Sequence, residues 1–307
     1  MHARKQATPL SGRPGQKYGQ SVVTRLAAWY LRDCRFVRGR GLMNRLLGKF
    51  LEVRTVDGMM IRLINPLEYH QRMLLFGAAY EPELTGFLRE ILVPGMVFVD
   101  VGANLGYYTL LGGKRVGPRG QVHAFEPAPA QFRHLAQNVR MNGLRNVVLN
   151  ECAVADRVGE AELFLSHGWN QGTHSLRMAR DSGEACKVRC TSLDGYVTQA
   201  GIERIDVVKM DVEGGEMLVC LGARDTFTYV PPPVVVFEAC EESALVFGHS
   251  TKDVKGILEG YGYTLFRLEA TTAPVRASKH SVEAFANLVG IHARASRQYY
   301  DALGCAF

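Results

Sequence analysis

The chain has 307 residues, 47% hydrophobic and 21% charged, with a net charge of +6. This composition belongs to an ordinary globular protein with room for one α/β core plus an extension. It offers no run of 18 apolar residues for a membrane-spanning helix and no apolar core of a secretory signal, and its seven scattered cysteines make no disulfide framework. Cys186 and Cys190 lack a second pair at zinc spacing, so no metal site is expected there, and the cytoplasm is the default compartment.

Residues 1–50 read as a basic extension. The first 20 are rich in Pro, Gly, Ser and Lys, a disordered composition. From Ser21 a helical pattern follows (Val22, Val23, Leu26, Ala27, Trp29, Tyr30), and Leu42, Met43, Leu46, Leu47 and Phe50 resume it after two glycines. Residues 1–54 carry a net +10, leaving −4 for the rest. Such an arm suits RNA, anionic lipid or an acidic partner, or is a solvated tail with a helix packed on the core. Without basic residues interleaved by aromatics, nucleic acid is the weaker partner.

Residues 51–94 predict a hairpin around Asp57-Gly58 and a helix before the core. From 95 to 295 strands alternate with helices, the mark of a doubly wound parallel sheet; 296–307 form a tail. Strands are expected near Val97–Val101, Gln121–Phe125, Val147–Cys152, Ile205–Met210, Val234–Phe237, Tyr263–Phe266 and Ala286–Ile291. A helix over Ala130–Met141 places Phe132, Leu135, Ala136 and Val139 on one face. Between the third and fourth of these strands lies an excursion with two strand-like pieces, Ala161–Leu165 and Lys187–Thr191, around the polar loop His167–Asp181. Excursions of this length over a sheet's carboxyl edge commonly shape substrate pockets.

The chemistry concentrates at strand ends. After Asp100, Gly102 and Gly106 open a turn into a helix, with Asn104 where a dinucleotide enzyme would carry its second glycine. That turn suits the amino-acid moiety of a nucleoside-bearing cofactor, with Asp100 facing its ammonium and the helix N-terminus its carboxylate. Glu126 ends the next strand, placed for ribose hydroxyls, and Ala153 leaves room for a base. In KMDVEGGE, Asp211 is the first choice for a contact near a transferred methyl. Glu213 and Glu216 either join it or load a helix N-terminus with negative charge. Glu238, His174 and His249 are further candidates for a general base.

The stretches FVDVGANLGYYTLL, HAFEPAPAQF, NECAVAD, TSLDGYV and DVVKMDVEGGE, with YEPELTGFL before them and HGWNQGTHSL between, resemble the FkbM family of S-adenosylmethionine-dependent methyltransferases, from about Glu52 to Ile291. The resemblance implies a class I methyltransferase fold, a Rossmann-like, seven-stranded sheet whose last strand is antiparallel. It also implies O-methylation of a sugar hydroxyl, on a glycan or glycolipid, or of a natural product. Carried over by position, Asp100, Gly102, Asn104, Gly106 and Glu126 bind S-adenosylmethionine, and Glu81 approaches it. Asp211, His174 and Glu238 are the catalytic candidates, with no metal. A dehydrogenase, an RNA methyltransferase using the basic arm and a non-catalytic binding module are the competing readings. Gly112-Gly113 depart from what a helix prefers, by about 1 kcal/mol each, and imply a short helix or unusually close packing.

Overall fold

The structure is a computed structural model that describes residues 51–65, 68–77, 80–166, 174–177, 182–269, 275–278 and 280–304. The basic extension, residues 1–50, lies outside the described residues. Strands β1 (Glu52–Arg54) and β2 (Met60–Arg62) form the expected antiparallel hairpin, with Asp57-Gly58 in its loop and Gly58 at φ 70°. Helices α1 (Tyr69–Leu75) and α2 (Pro82–Ile91) follow; Pro82 sits in the first turn of α2, where its missing N–H has no intrahelical partner to lose.

The core alternates strand and helix: β3 (Val97–Val101), α3 (Tyr107–Val116), β4 (Gln121–Phe125), α4 (Pro129–Met141) and β5 (Val147–Asn150). The excursion contributes β6 (Ala153–Val154), β7 (Gly159–Ser166) and β8 (Ser182–Thr191). Then come α5 (Leu193–Ala200), β9 (Val207–Met210), α6 (Glu216–Gly222), α7 (Arg224–Tyr229), β10 (Val234–Cys240), α8 (Glu241–Val246) and α9 (Thr251–Gly260). Strands β11 (Tyr263–Arg267), β12 (Val275–Arg276) and β13 (Phe285–His292) and helix α10 (Gln298–Ala302) complete the described part.

The main sheet runs β12-β11-β13-β10-β9-β3-β4-β5. Without the two-residue β12 it is the seven-stranded class I methyltransferase sheet, with β13 antiparallel to both β10 and β11. The switch point lies between β3 and β9, parallel neighbours whose connections leave in opposite directions. Strand residues alternate between two apolar layers: Phe98, Val122, Val207, Val234 and Val236 pack with α2 to α4, whereas Val99, Phe125, Val208, Val235 and Phe237 pack with α5 to α7 and α9. Cover on both faces explains why these strands read as continuous apolar runs.

One local expectation changes, and one left open is decided. The third strand of the main sheet stops at Asn150, and Ala153–Val154 instead pairs parallel with β8 in a separate three-stranded sheet, β6-β8-β7. Helix α3 runs through both glycines because the close packing is real. A Cβ on Gly112 would lie 2.4 Å from Phe98 Cδ1, and one on Gly113 2.8 Å from Leu144 Cδ1. The five described cysteines are free, and no described helix is long and apolar enough to cross a membrane.

Candidate active site

A cleft of about 1330 Å³, measured to its open mouth, lies over the carboxyl ends of β3, β4, β9 and β10. Its wall includes Gly102, Asn104, Glu126, Ala153, Asp211 and Glu238, together with Glu81 and His174. Eight positions singled out in the sequence are thus brought to one place.

The turn after β3 is pressed against the end of β9. Gly102 has φ 78°, and a Cβ there would lie 1.8 Å from the Asp211 carbonyl oxygen, so only glycine fits. Asn104, at φ 49°, donates its backbone N–H to Glu126 Oε2 (2.8 Å), and Ala128 N–H donates to Glu126 Oε1 (2.9 Å). Each carboxylate oxygen is oriented by one backbone donor and keeps a lone pair for a ligand hydroxyl. Burial pushes the Glu126 carboxyl up to about 7, against the pull of those two N–H groups.

Asp100 and Gly106 are placed differently from the expectation. Asp100 is fully buried behind the cleft wall, where Thr109 Oγ1 donates to its Oδ2 (2.6 Å) and the Lys209 ammonium lies 3.6 Å from its Oδ1. Its carboxylate faces a protein ammonium rather than the cleft, and burial raises its pKa more than Lys209 and Thr109 lower it. Gly106, at φ 91°, is the residue before α3 and packs on Leu135. It shapes the turn from behind.

Lys209, to which the sequence reading gave no role, is the hub. Its Nζ donates to Asp211 Oδ2 (3.2 Å), lies between Asp100 and Asp211, and sits 5.1 Å from the Tyr108 ring centroid. Burial opposes the charge, but Asp211 and Asp100 outweigh it and raise the ammonium's pKa. Tyr108 Oη donates to Glu81 Oε2 (2.5 Å), and Tyr80 stacks on Tyr107 with centroids 4.5 Å apart. This aromatic wall was also missed, because tyrosines at helical spacing look like core.

Asp211, Glu213 and Glu238 bring carboxylate oxygens within 4.8 Å of one another. Burial followed by the charge of Asp211 pushes Glu213 up to about 8 and Glu238 up to about 10. Glu216 resolves to the structural alternative: it accepts from the Val212 N–H (3.1 Å) in the first turn of α6. His174 lines the wall with its Nε2 2.6 Å from the Gln131 side-chain amide. His249 is outside the lining; it packs by Phe247, with its Nε2 buried and without a hydrogen bond.

A sulfonium nucleoside fits this set: an oriented carboxylate at Glu126, a tight glycine-bearing turn, a small residue at Ala153 and an acidic far end. Comparison with known proteins agrees. The methyltransferase FkbM domain matches residues 100–265, more than half of the chain. The 31-O-demethyl-FK506 methyltransferase FkbM of Streptomyces tacrolimicus is 30% identical over 205 residues, covering 57% of this chain and 75% of that one. Methyltransferase sdnD of Sordaria araneosa is 29% identical over 208 residues, with 57% and 76% covered. The 2-O-methyltransferase NoeI of Sinorhizobium fredii is 29% identical over 150 residues, 44% of this chain and 60% of that one. With the strand order and the cleft described above, the chain belongs to the FkbM family of S-adenosylmethionine-dependent methyltransferases.

Proposed function

We propose that this enzyme methylates a hydroxyl oxygen of a sugar, on a glycan or glycolipid, or of a small natural product. The observation that carries the reading is Asp211 at the end of β9, beside the switch point and held by Lys209 at the cleft floor. The names of two relatives, a 31-O-demethyl-FK506 methyltransferase and a 2-O-methyltransferase, support oxygen as the acceptor atom.

When bound, S-adenosylmethionine would supply an electrophilic methyl to an acceptor oxygen, with S-adenosylhomocysteine as the neutral thioether leaving group. The chain's own residues do the rest. Glu126 takes the ribose hydroxyls, Ala153 leaves space for the base, and the Gly102–Asn104 turn with Glu81 receives the amino-acid end. Asp100 and Gly106 support that turn from behind. Asp211 accepts the proton of the attacking hydroxyl. Glu238, whose carboxyl is held protonated near neutral pH in the ligand-free cleft, borders the reacting end and does not serve as the base. His174 flanks the acceptor from the excursion's side. Confinement and alignment in the cleft contribute within the roughly 7–11 kcal/mol that proximity can supply.

The test is S-adenosylhomocysteine release, by mass spectrometry, over a panel of glycosides, lipid-linked sugars and polyketide alcohols. Turnover accompanied by an O-methyl product supports the reading. Methylation confined to amines or to nucleic acid would replace it.

A further inference from the structure

The two halves of the cleft differ in chemistry. On the β3–β4 side stand the Gly102–Asn104 turn, Glu126 and the small residue Ala153. On the β9–β10 side stand Asp211, Glu213 and Glu238, with Glu81 and Glu68 also in the wall. Lys209 is the one lysine or arginine among the described lining residues, and its ammonium is already engaged by Asp100 and Asp211. Among the described residues, neither Glu213 nor Glu238 takes a hydrogen bond or ion pair through its carboxylate, although both are half-buried and border the cleft. Buried carboxyls without partners are costly unless neutral or facing a positive group.

Strand order sets what this end meets. A nucleoside over the ends of β4 and β3, with its base at Ala153 and its ribose at Glu126, directs its sulfur toward β9, the neighbour of β3 on the other side. We propose that Asp211, Glu213 and Glu238 make the reacting end of the cleft charge-selective: it holds a positive group at the transfer position, lets a neutral one go, and turns away acceptors bearing phosphate or carboxylate. A cation entering there lets the two glutamic acids ionise against it, whereas an anion gains no such response and meets the charge of Asp211. The enzyme therefore favours the charged methyl donor over its neutral product, and its acceptor hydroxyl sits on an uncharged or amine-bearing molecule. This rests on the placement of the cofactor proposed above.

The experiment is calorimetric titration of the full chain with two probes of one skeleton. S-adenosylhomocysteine is neutral at the reacting position, and sinefungin carries an amine on carbon in place of the sulfur. Sinefungin is expected to bind at least about tenfold more tightly at pH 7.5, and Glu238→Gln and Glu213→Gln to shrink that ratio toward one while leaving S-adenosylhomocysteine affinity nearly unchanged. Equal affinities in the unmodified chain, or a ratio untouched by both variants, would overturn the proposal. So would tight binding of Mg²⁺ alone that Glu238→Gln abolishes, since the three carboxylates would then serve a metal. Binding of neither probe would instead remove the cofactor placement on which the proposal rests.

Discussion

The carbonyl oxygen of Asp211 occupies the space where Gly102 would carry a side chain, 1.8 Å from a Cβ built there. The turn proposed to receive the cofactor and the acid proposed to act on the acceptor are therefore one packed unit. Gly102→Ala must force β3 and β9 apart at a position that also needs φ 78°. The expected cost is about 3 kcal/mol in urea unfolding, with at least tenfold weaker S-adenosylhomocysteine binding.

Gly112→Ala tests a contest between two local effects. Alanine gains about 1 kcal/mol of helix propensity, but its Cβ meets the Phe98 ring at 2.4 Å. Overpacking of about 1–3 kcal/mol exceeds that gain, so thermal melting should show net destabilisation. A rise in melting temperature would mean that the ring moves aside freely.

Glu126→Ala should weaken S-adenosylhomocysteine binding by about 10- to 100-fold, the worth of hydrogen bonds to a charged acceptor, with native-like melting. Unchanged calorimetric affinity would remove the ribose assignment.

Asp211→Asn should lower methyl transfer by about 10²–10⁴-fold once an acceptor is in hand, with S-adenosylhomocysteine affinity changed far less. A loss confined to KM would make Asp211 a binding residue only.

Stability of the ligand-free enzyme should fall as pH rises from about 5 to 8. Glu126 and Glu216 are raised to about 7 and Glu213 to about 8, from an ordinary value of 4.5. Below 4.5 folded and unfolded chains both hold these protons. Between 4.5 and about 7 the unfolded chain has released them and the folded one has not, so the unfolded state gains with rising pH. Denaturant midpoints that climb across this window would contradict the burial of these acids. The Gln variant of each residue should flatten its share of the slope.

Much of the sheet was legible because a strand covered on both faces is a run such as VFVDV or VVVF, and glycine-bearing turns bound it. The β3–β4 side of the cleft was legible for the same reason: Gly102, Asn104 and Glu126 sit at strand ends, where chain direction alone puts them on one edge. Asp100 was misplaced because a sequence tells that a strand ends in an acid, not which way the acid faces. Its partner Lys209 settles this, and the two meet only through the parallel pairing of β3 with β9. Tyr80 and Tyr108 were unreadable in kind, since an aromatic wall and an apolar core share one spacing. The break between Asn150 and Ala153 was hidden because two short strands in succession look like one.

Strand β13 lies between β10 and β11 but follows both in the chain. During synthesis, β3, β4, β5, β9 and β10 can pair as they emerge, each beside a neighbour already made. β10 and β11 must wait with a missing middle. Until residues 285–292 leave the ribosome, the apolar edge Val234–Phe237 has one unsatisfied side, open to a strand from another nascent chain. The wall that bears Glu238 is thus the last part of the cleft to acquire its support.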